Sequence, residues 1–309
     1  MTLLDTFLRT AAQVGEYFPS TRAVAAKVEP MAKNIAYRGG NHRDQRLDVW
    51  RPKGVEGPLP VLFHVHGGGF RILSKDSHVS VARRFALAGF CVVNVSYRLT
   101  PEGAFPSAFD DVAAALMWTL DNAGDFGGDV SRIAYAGESA GANLILATAL
   151  AGCARNELPA AAAIFERNPS PFAILPACGM LEVHNPERYT ERSDLPKWVR
   201  KRVRMVCEGY LGSYGDDAWL ASPLRRIESD EALERPLPPV LSVCGGIDPV
   251  LNDTERLGRA LAKHGQPDAT RIYKGQHHAF HLFPLKASAD AWRVQLEHLA
   301  AHLSEPELG

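Results

Sequence analysis

The sequence of 309 residues lacks the features that mark several large classes of protein. No apolar run approaches the roughly 18 residues that a membrane-spanning helix needs. Basic and acidic residues nearly cancel, with 34 Lys and Arg against 35 Asp and Glu, so no charge imbalance indicates a nucleic-acid-binding surface. The N-terminal segment carries an acid, Asp5, where a secretory signal would be basic. We therefore expect neither a nucleic-acid partner nor a stable membrane anchor.

Cysteine is scarce and follows no pairing pattern. The five residues are odd in number and far apart, and none forms a C-x-x-C motif: Cys91, Cys153, Cys178, Cys207 and Cys244. Several stand in apolar runs, where a free thiol behaves as a small buried hydrophobic group. Isolated thiols of this kind are typical of a reducing compartment, so we predict a cytoplasmic location.

Solid apolar runs alternate with helix-forming stretches along most of the chain. The runs are Val61–Val65, Cys91–Val95, Arg132–Ala136, Phe172–Leu175, Val240–Val243 and Thr270–Tyr273. This alternation indicates an α/β fold whose parallel sheet is buried on both faces. We predict a single domain over residues 1–309, with a helical N-terminal segment over the first 35 residues and an edge strand at Arg46–Trp50.

One long polar segment, residues 181–224, interrupts the alternation between two predicted core strands. Ligands of such sheets bind beyond the carboxyl ends of the strands, so an insertion there could form a lid. Within it, Val199, Val203 and Val206 share one helical face among Lys and Arg residues. This pattern favours a solvated amphipathic lid helix, with a membrane-surface or anionic-substrate role as the alternative.

The strongest local signal is the motif Gly137-Glu138-Ser139-Ala140-Gly141. An apolar strand precedes it and a helix-forming run follows, which is the context of a nucleophile elbow, where a serine occupies a strained turn between strand and helix. The glycines are needed because backbones must pass closely on either side of that turn. A structural turn without chemistry is the alternative interpretation.

A second signal, His66-Gly67-Gly68-Gly69-Phe70, directly follows the first apolar run. Consecutive glycines leave backbone N–H groups unshielded, and a loop after a strand aims them at the carboxyl edge of the sheet. Such a loop can bind the oxyanion of a tetrahedral intermediate, helped by the N–H of the residue after the nucleophile. A phosphate loop is disfavoured, because neither Gly-Lys-Ser/Thr nor G-x-G-x-x-G spacing follows. A flexible hairpin is the other alternative.

A serine nucleophile needs a base, and the base needs an acid that orients it. Asp248, at the end of a later strand, is the expected acid; its rival Asp253 is better placed to cap the next helix. The base is expected in the histidine-rich segment after the last strand, which contains His277, His278 and His281. Serine, acid and histidine then follow the chain order expected of an α/β hydrolase.

The histidines also suggest a metal site. His64 and His66 lie on one face of a predicted strand, and residues 277–281 include three histidines. No Cys, Asp or Glu stands near them at ligand spacing, so we predict no bound metal and no cofactor. His277 and His281 are then wall or surface residues, and His64 is a core histidine with its hydrogen bonds satisfied.

These motifs together resemble the hormone-sensitive-lipase family of carboxylesterases, which are α/β hydrolases. The matching segments span roughly residues 35–300 in the family's order: His66–Gly69, Tyr97–Leu99, Pro101-Glu102, Phe105-Pro106, Gly137–Gly141, Asp248-Pro249 and His278–Phe280. The resemblance implies a mostly parallel, eight-stranded sheet with helices on both faces. It also implies a helical cap made of residues 1–35 and the insertion 181–224.

The resemblance assigns roles to single residues. Ser139 would be the nucleophile and Asp248 the orienting acid. His278 is selected over His277 as the base, because the family's base precedes a small residue and then Phe. The implied oxyanion donors are the backbone N–H groups of Gly68, Gly69 and Ala140. The motif residue Glu138 stands where Asp is commoner in the family.

The expected activity is that of a serine carboxylesterase, which hydrolyses short- to medium-chain acyl esters through an acyl-enzyme. An amidase or deacetylase with the same triad is the alternative, as is a non-catalytic small-molecule receptor on the same fold. The expected partner is a small-molecule ester, and a homodimer is possible. The predicted pocket walls are bulky side chains near the active edge, namely Phe7, Val14, Phe18, Phe70, Trp198, Val203 and Met205.

Overall fold

The structure is a computed structural model that describes residues 24–191, 194–215 and 218–303. The strands are β1 (Val28–Ala36), β2 (Arg46–Pro52), β3 (Leu59–Val65), β4 (Cys91–Val95), β5 (Gly128–Glu138), β6 (Ala173–Ala177), β7 (Ser242–Gly245) and β8 (Thr270–Tyr273). The helices are α1 (Val79–Leu87), α2 (Ser107–Asn122), α3 (Ala140–Cys153), α4 (Pro159–Arg167), α5 (Glu187–Thr190), α6 (Lys197–Leu211), α7 (Pro223–Glu228), α8 (Leu251–Lys263) and α9 (Lys286–His302).

The main sheet is mostly parallel. Its strands lie in the order β1-β2-β4-β3-β5-β6. The strands β4, β3, β5 and β6 run parallel, whereas β1 and β2 join at one edge in antiparallel pairing. Among the described residues, no helix combines the length and apolar character that crossing a membrane requires.

Both faces of the sheet are buried, as the solid apolar runs predict. Val61 and Phe63 of β3 point into a large core that they share with α2, α3 and α4. Leu62, between them, points into a second core with Phe85 of α1 and Trp292 of α9. Successive strand residues face opposite sides, so a sheet covered on both sides needs apolar residues at every position. The predicted α/β class, with helices on both faces, is confirmed.

The prediction of an eight-stranded sheet is wrong in its strand count. Six strands form the main sheet, and β7 and β8 form a separate parallel pair. The amide of Ile174 donates to Pro239 and the amide of Cys178 donates to Val243, so β7 does lie beside β6. Between them stands Pro176, which has no N–H, and its carbonyl accepts from the Ser242 hydroxyl at 2.7 Å instead. The ladder is therefore interrupted at this proline.

Two predictions near the N-terminus are also wrong. Residues 28–35, predicted as helix and as part of the cap, belong to the edge strand β1, whose side chains are mostly exposed or half-buried. A strand with so little burial carries no clear apolar pattern, so the sequence did not reveal it. Consequently β2 is the second strand of the sheet, not its edge. The predicted wall residues Phe7, Val14 and Phe18 lie outside the described residues.

A buried ion pair joins the sheet to the segment that follows the glycine loop, which comprises residues 66–70. Lys75 Nζ lies 2.9 Å from the carboxylate of Asp48 on β2, and the two side chains are 2% and 0% exposed. Asp48 also accepts the amide of Asn34 on β1 at 2.7 Å. The carbonyl of Lys75 accepts the side-chain amide of Asn94 on β4 at 2.8 Å. The two residues of this pair thus connect the segment to three strands, β1, β2 and β4.

We expect Lys75→Met to lower the free energy of unfolding by about 3–5 kcal/mol, because it leaves the Asp48 carboxylate buried without a counter-charge. Adding Asp48→Asn should recover part of that loss. Urea unfolding monitored by circular dichroism measures both. The exposed Lys53 is the control, and Lys53→Met should change stability by less than about 0.5 kcal/mol. Equal losses for the two lysines would contradict this account of the pair.

Candidate active site

Ser139 occupies the sharp turn between β5 and α3. Its φ is 54° and its ψ is −113°, a strained conformation for a residue with a side chain. The turn is tight because backbones touch beneath it. A Cβ placed on Gly141 would lie 2.1 Å from the carbonyl oxygen of Val65 on β3, and one placed on Gly137 would lie 2.8 Å from the same oxygen. Only glycines allow this approach, as the elbow motif predicts.

The structure brings together the three residues predicted as a triad. Ser139 Oγ lies 3.0 Å from Nε2 of His278. Nδ1 of His278 lies 2.9 and 3.0 Å from the two carboxylate oxygens of Asp248. Asp248 also accepts the amide of Val250 at 2.9 Å, which fixes its orientation. Asp248 is fully buried, whereas 36% of the His278 side chain is exposed at the open end of this chain of hydrogen bonds.

Neighbouring strand ends bring this acid and histidine together. Asp248 follows β7 and His278 follows β8, and these two strands are parallel neighbours. Beyond the strands, the amide of Ile247 donates to the carbonyl of Gln276 at 3.1 Å, which joins the two loops. The pairing of the loops therefore determines which aspartate meets which histidine.

Asp248 and His278 set each other's charge states. Burial lowers the pKa of His278, but the Asp248 carboxylate raises it by more, so the pKa of His278 lies above its ordinary value. Burial raises the pKa of Asp248, and the His278 ring lowers it by more, so the net shift is downward. Asp248 is thus an ionised acceptor, and Nδ1 of His278 carries the hydrogen. In neutral His278 the lone pair on Nε2 faces Ser139, as a general base requires.

The neighbouring histidines are placed differently. His277 is mostly exposed; its Nδ1 lies 2.8 Å from the carbonyl of His278 and its ring meets Phe283 edge-on. His281 is buried, and burial lowers its pKa to about 4. Among the described residues, Ser139 Oγ is hydrogen-bonded to His278 and to neither of these two histidines.

Asp253, the rival acid, anchors the insertion. It lies within the first turn of α8, so the prediction that it caps this helix is wrong. Its buried carboxylate accepts the amides of Leu181 and Glu182 at 2.7 and 3.1 Å and the hydroxyl of Tyr189 at 2.8 Å. Arg188 completes the set at 2.5 Å. These groups all belong to the start of the insertion, a contact that local sequence pattern does not encode.

The glycine loop lies against the elbow. A Cβ placed on Gly67 would lie 3.3 Å from Cβ of Ser139. The amide of Gly67 donates to Oε1 of Glu138 at 2.5 Å, and its carbonyl accepts from Nδ1 of His66 at 2.6 Å. The next two residues, Gly68 and Gly69, have φ values of +115° and +59°. Such values are readily adopted only by glycine, so the loop needs this composition.

His66 is a neutral buried ring that supports this loop. It stacks on Tyr97 with centroids 4.5 Å apart, and burial together with the nearby His78 lowers its pKa to about 3. Since the carbonyl oxygen and the following N–H of a trans peptide point in opposite directions, the bond from His66 to the Gly67 carbonyl turns the Gly68 N–H away from the His66 ring.

Helix α6 of the insertion covers the glycine loop. Val206 lies so near that its Cγ2 would be 3.0 Å from a Cβ placed on Gly69. Phe70 stacks on Tyr210 with ring centroids 3.6 Å apart. The sequence pattern predicts Val206 on the lid-helix face, but it indicates neither that Val206 neighbours the loop nor that Tyr210 does. The spacing of four residues along one helix face was the available signal.

The predicted pocket walls differ in exposure. Phe70 is fully buried and Val203 is 7% exposed, so both belong to the packed core. Met205 is half-buried. Trp198, at the start of α6, is 64% exposed.

One group of side chains among the described residues has distances suited to a cation. Cys178, Asp248 and His278 each offer an atom within 4.8 Å of the others. The hydrogen bond between Asp248 and His278 already accounts for two of the three. Burial raises the pKa of the Cys178 thiol well above its ordinary value, so the protonated form, a poor ligand, predominates.

Histidine NMR titration tests the charge assignment. We expect the imidazole of His278 to titrate above the ordinary value of about 6.5, because Asp248 stabilises its cation. Asp248→Asn should lower that pKa, since burial then acts without the carboxylate. Below this pKa the ring is an imidazolium and cannot accept the Ser139 proton. A pKa of His278 that Asp248→Asn leaves unchanged would contradict the assignment.

Comparison with known proteins agrees with this architecture. A family model described as alpha/beta hydrolase fold matches residues 62–282. An esterase from the archaeon Pyrobaculum calidifontis is 26% identical with a TM-score of 0.74, covering 97% of this chain and 93% of that one. Esterase B from Lactobacillus rhamnosis is 18% identical with a TM-score of 0.72, covering 97% and 96%. A hormone-sensitive lipase from a metagenome library is 22% identical with a TM-score of 0.74, covering 98% and 93%. The chain therefore belongs to the α/β hydrolase fold family, as its motifs predict.

Proposed function

We propose that the protein is a serine carboxylesterase that works through an acyl-enzyme. The observation that carries the proposal is the unbroken chain of hydrogen bonds from Ser139 through His278 to Asp248. Its likeness to the Pyrobaculum and Lactobacillus proteins, which are esterases, supports the same conclusion. A receptor that has lost catalysis usually lacks the nucleophile or the base, and this chain has residues of the right type at both positions.

In the proposed first step, Ser139 Oγ attacks the ester carbonyl carbon while Nε2 of His278 takes the hydroxyl proton. The new C–O bond forms as the carbonyl electron pair moves onto oxygen, giving a tetrahedral oxyanion. Asp248 stays ionised, holds the Nδ1 hydrogen and stabilises the imidazolium. The His278–Asp248 distances of 2.9 and 3.0 Å suit that role.

The proposed oxyanion donors are the N–H groups of Gly68, Gly69 and Ala140. Ala140 is the first residue of α3, and an N–H at that position has no partner within its own helix. The two glycine amides belong to the loop that packs on the elbow. Removing one donor from such a site typically reduces kcat by about 10²–10³-fold.

The second half of the reaction reverses the proton transfer. The imidazolium of His278 gives its proton to the alcohol oxygen as the ester C–O bond breaks, and the alcohol leaves an acyl group on Ser139. A water molecule then attacks the acyl carbon while His278 takes its proton. Collapse of this intermediate returns the proton to Ser139 and releases the carboxylic acid.

Adjacent histidines provide a matched test of this assignment. Ser139→Ala should abolish labelling by a fluorophosphonate and lower kcat by roughly 10⁴-fold or more, because the nucleophile is gone. His278→Ala should cause a loss of the same order, whereas His277→Ala should retain most of the activity. Turnover of p-nitrophenyl butyrate and mass spectrometry of the labelled peptide measure these effects.

Two outcomes would contradict the proposal. One is labelling that survives Ser139→Ala, which would mean that the probe reacts elsewhere. The other is an inactive His277→Ala beside an active His278→Ala. Turnover of amides in preference to esters would instead identify an amidase with the same machinery.

We further propose that the substrates are short- to medium-chain acyl esters and that the insertion forms a cap. Packing of Val206 against Gly69 supports this, because a wall so close to a proposed oxyanion donor leaves little room for a long acyl chain. The stack of Phe70 on Tyr210 holds α6 over the loop. The expected partner is a small ester, and a homodimer stays a prediction. The five buried free thiols support the proposed cytoplasmic location.

A chain-length series tests the proposed wall. Each methylene that fits contributes about 0.8 kcal/mol, so kcat/KM for p-nitrophenyl esters should rise about fourfold per carbon, and then fall once the chain meets the wall. Val206→Ala should move the optimum to longer chains. Trp198→Ala, on the same helix but 64% exposed, should leave it unchanged. Efficient hydrolysis of emulsified long-chain triglyceride, or an optimum that Val206→Ala does not move, would contradict this proposal.

A further inference from the structure

A buried polar cluster lies behind the glycine loop, and the proposed chemical steps use none of it. At its centre is Glu138, the residue before Ser139, which is 4% exposed. Oε1 of Glu138 lies 2.5 Å from the amide nitrogen of Gly67 and 2.7 Å from Nε2 of His78. Its Oε2 lies 3.2 Å from Nε2 of His64. Burying a carboxylate costs free energy, and hydrogen bonds and counter-charges from its neighbours have to offset that cost.

The hydrogen-bond partners of His78 fix its number of protons. Nε2 faces the Glu138 carboxylate, which can only accept. Nδ1 faces Oγ of Ser77 at 2.9 Å and the carbonyl of Ser74 at 3.3 Å. The Ser77 hydroxyl already donates to that same carbonyl at 2.6 Å, so it can only accept from His78. Both ring nitrogens are therefore donors, and His78 is an imidazolium beside Glu138.

Charge balance in the cluster agrees with this proton count. Burial lowers the pKa of His78, and Glu138 raises it by more, so its pKa lies above the ordinary value. Burial raises the pKa of Glu138, but His78 and His64 outweigh it and hold the pKa well below the usual range. The pair is thus a carboxylate and an imidazolium that neutralise each other inside the core.

The third neighbour of Glu138 is His64, which bridges it to Asn94. Its Nδ1 lies 2.9 Å from the side-chain oxygen of Asn94. The amide nitrogen of Asn94 donates to the carbonyl of Lys75, which fixes the side chain with its oxygen toward His64. Nδ1 of His64 therefore donates to Asn94, and its Nε2 lies 3.2 Å from Oε2 of Glu138. Within the described part of the chain, the amide of Gly67 and Nε2 of His78 thus both donate to Oε1 of Glu138.

These contacts hold Gly67 from both sides. Its amide is bound by Glu138 and its carbonyl by His66. The two N–H groups that follow along the chain, those of Gly68 and Gly69, are the proposed oxyanion donors. A run of glycines has little conformational preference of its own, so its geometry has to be fixed from outside. Oxyanion stabilisation is effective only when the donors are already in place before the reaction.

We propose that Glu138, balanced by the imidazolium of His78, is a positioning residue that holds the oxyanion loop in register with Ser139. The proposal rests on the proposed function. Glu138 is covalently joined to the nucleophile and hydrogen-bonded to the loop, so one side chain sets the distance between the attacking oxygen and the donors.

Two substitutions at Glu138 separate positioning from charge. In Glu138→Gln the amide oxygen can still accept from Gly67, and the amide nitrogen takes the place of Oε2 beside His64, so kcat should stay within about tenfold of wild type. Glu138→Ala leaves the Gly67 amide without an acceptor and frees the loop. We expect kcat to fall on the order of 10²-fold, the effect typical of misplacing a catalytic group by about 1 Å. KM should change by less than about threefold, because ground-state binding uses other groups.

A buried carboxylate elsewhere provides the matched control. Asp111 is fully buried and binds Arg98 at 2.7 Å. Within the described residues its other polar partners are Arg38 and Gln45, which belong neither to the glycine loop nor to the elbow. Asp111→Ala should reduce thermal stability without the selective loss of kcat. A double-mutant cycle of Glu138→Ala with His78→Ala should show non-additive losses if the two act as one unit. Equal kcat losses in Asp111→Ala and Glu138→Ala, or additive losses in the cycle, would overturn the proposal.

NMR spectra of the free protein test the proposal without any turnover. In wild type we expect two N–H signals from the His78 ring and a strongly downfield amide signal from Gly67. Glu138→Gln should remove one of the His78 signals, because a neutral amide no longer stabilises the cation. A singly protonated His78 in wild type would overturn the proposal even in an active esterase. If the two His78 signals and the downfield Gly67 signal are present but esters are not turned over, the proposed function is rejected. The hydrogen bond from Gly67 to Glu138 would still be established.

Discussion

The site depends on the close contact between the end of β3 and the start of α3. Val65 and Gly141 approach so nearly that no side chain fits between them. This contact keeps the turn at Ser139 short and its backbone strained. The glycine loop begins two residues after Val65, so the same contact also brings that loop against the elbow. The positions of the proposed nucleophile and of the proposed oxyanion donors therefore both depend on this contact.

Two carboxylate–histidine pairs flank Ser139, and they differ in burial. On one side, His278 binds Asp248 and keeps 36% of its side chain exposed, which leaves Nε2 free to exchange protons. On the other side, His78 binds Glu138 and is only 3% exposed. The first pair has a free lone pair directed at Ser139, whereas every polar atom of the second pair is used within the core. The same chemical groups thus suit proton transfer in one place and positioning in the other.

The insertion is tied to the site through the helix that follows the proposed triad acid, Asp248. Asp253 lies one turn after Asp248 and binds Leu181 and Glu182, where the insertion begins. In the middle of the insertion, α6 packs on the glycine loop through Val206 and Tyr210. The insertion that carries the proposed pocket wall is therefore held at two places, at Asp253 and at the glycine loop.

Sequence alone determined the features that arise from local sterics and burial. Solid apolar runs identified the parallel strands, and the glycines around Ser139 identified the elbow, because each signal lies within a few residues. The N-terminal edge strand escaped detection because its side chains have little burial. The break in the sheet at Pro176 escaped because it depends on which neighbour that proline faces.

Only the tertiary structure decided the polar partnerships. Glu138 meets the amide of Gly67 from 71 positions along the chain, and Asp253 meets Leu181 from 72. No local pattern distinguishes a carboxylate that caps its own helix from one that binds a distant loop, because both are short acidic side chains at a helix start. Buried N–H groups need an acceptor, so they donate to whichever carboxylate the packing of strands and loops brings within reach.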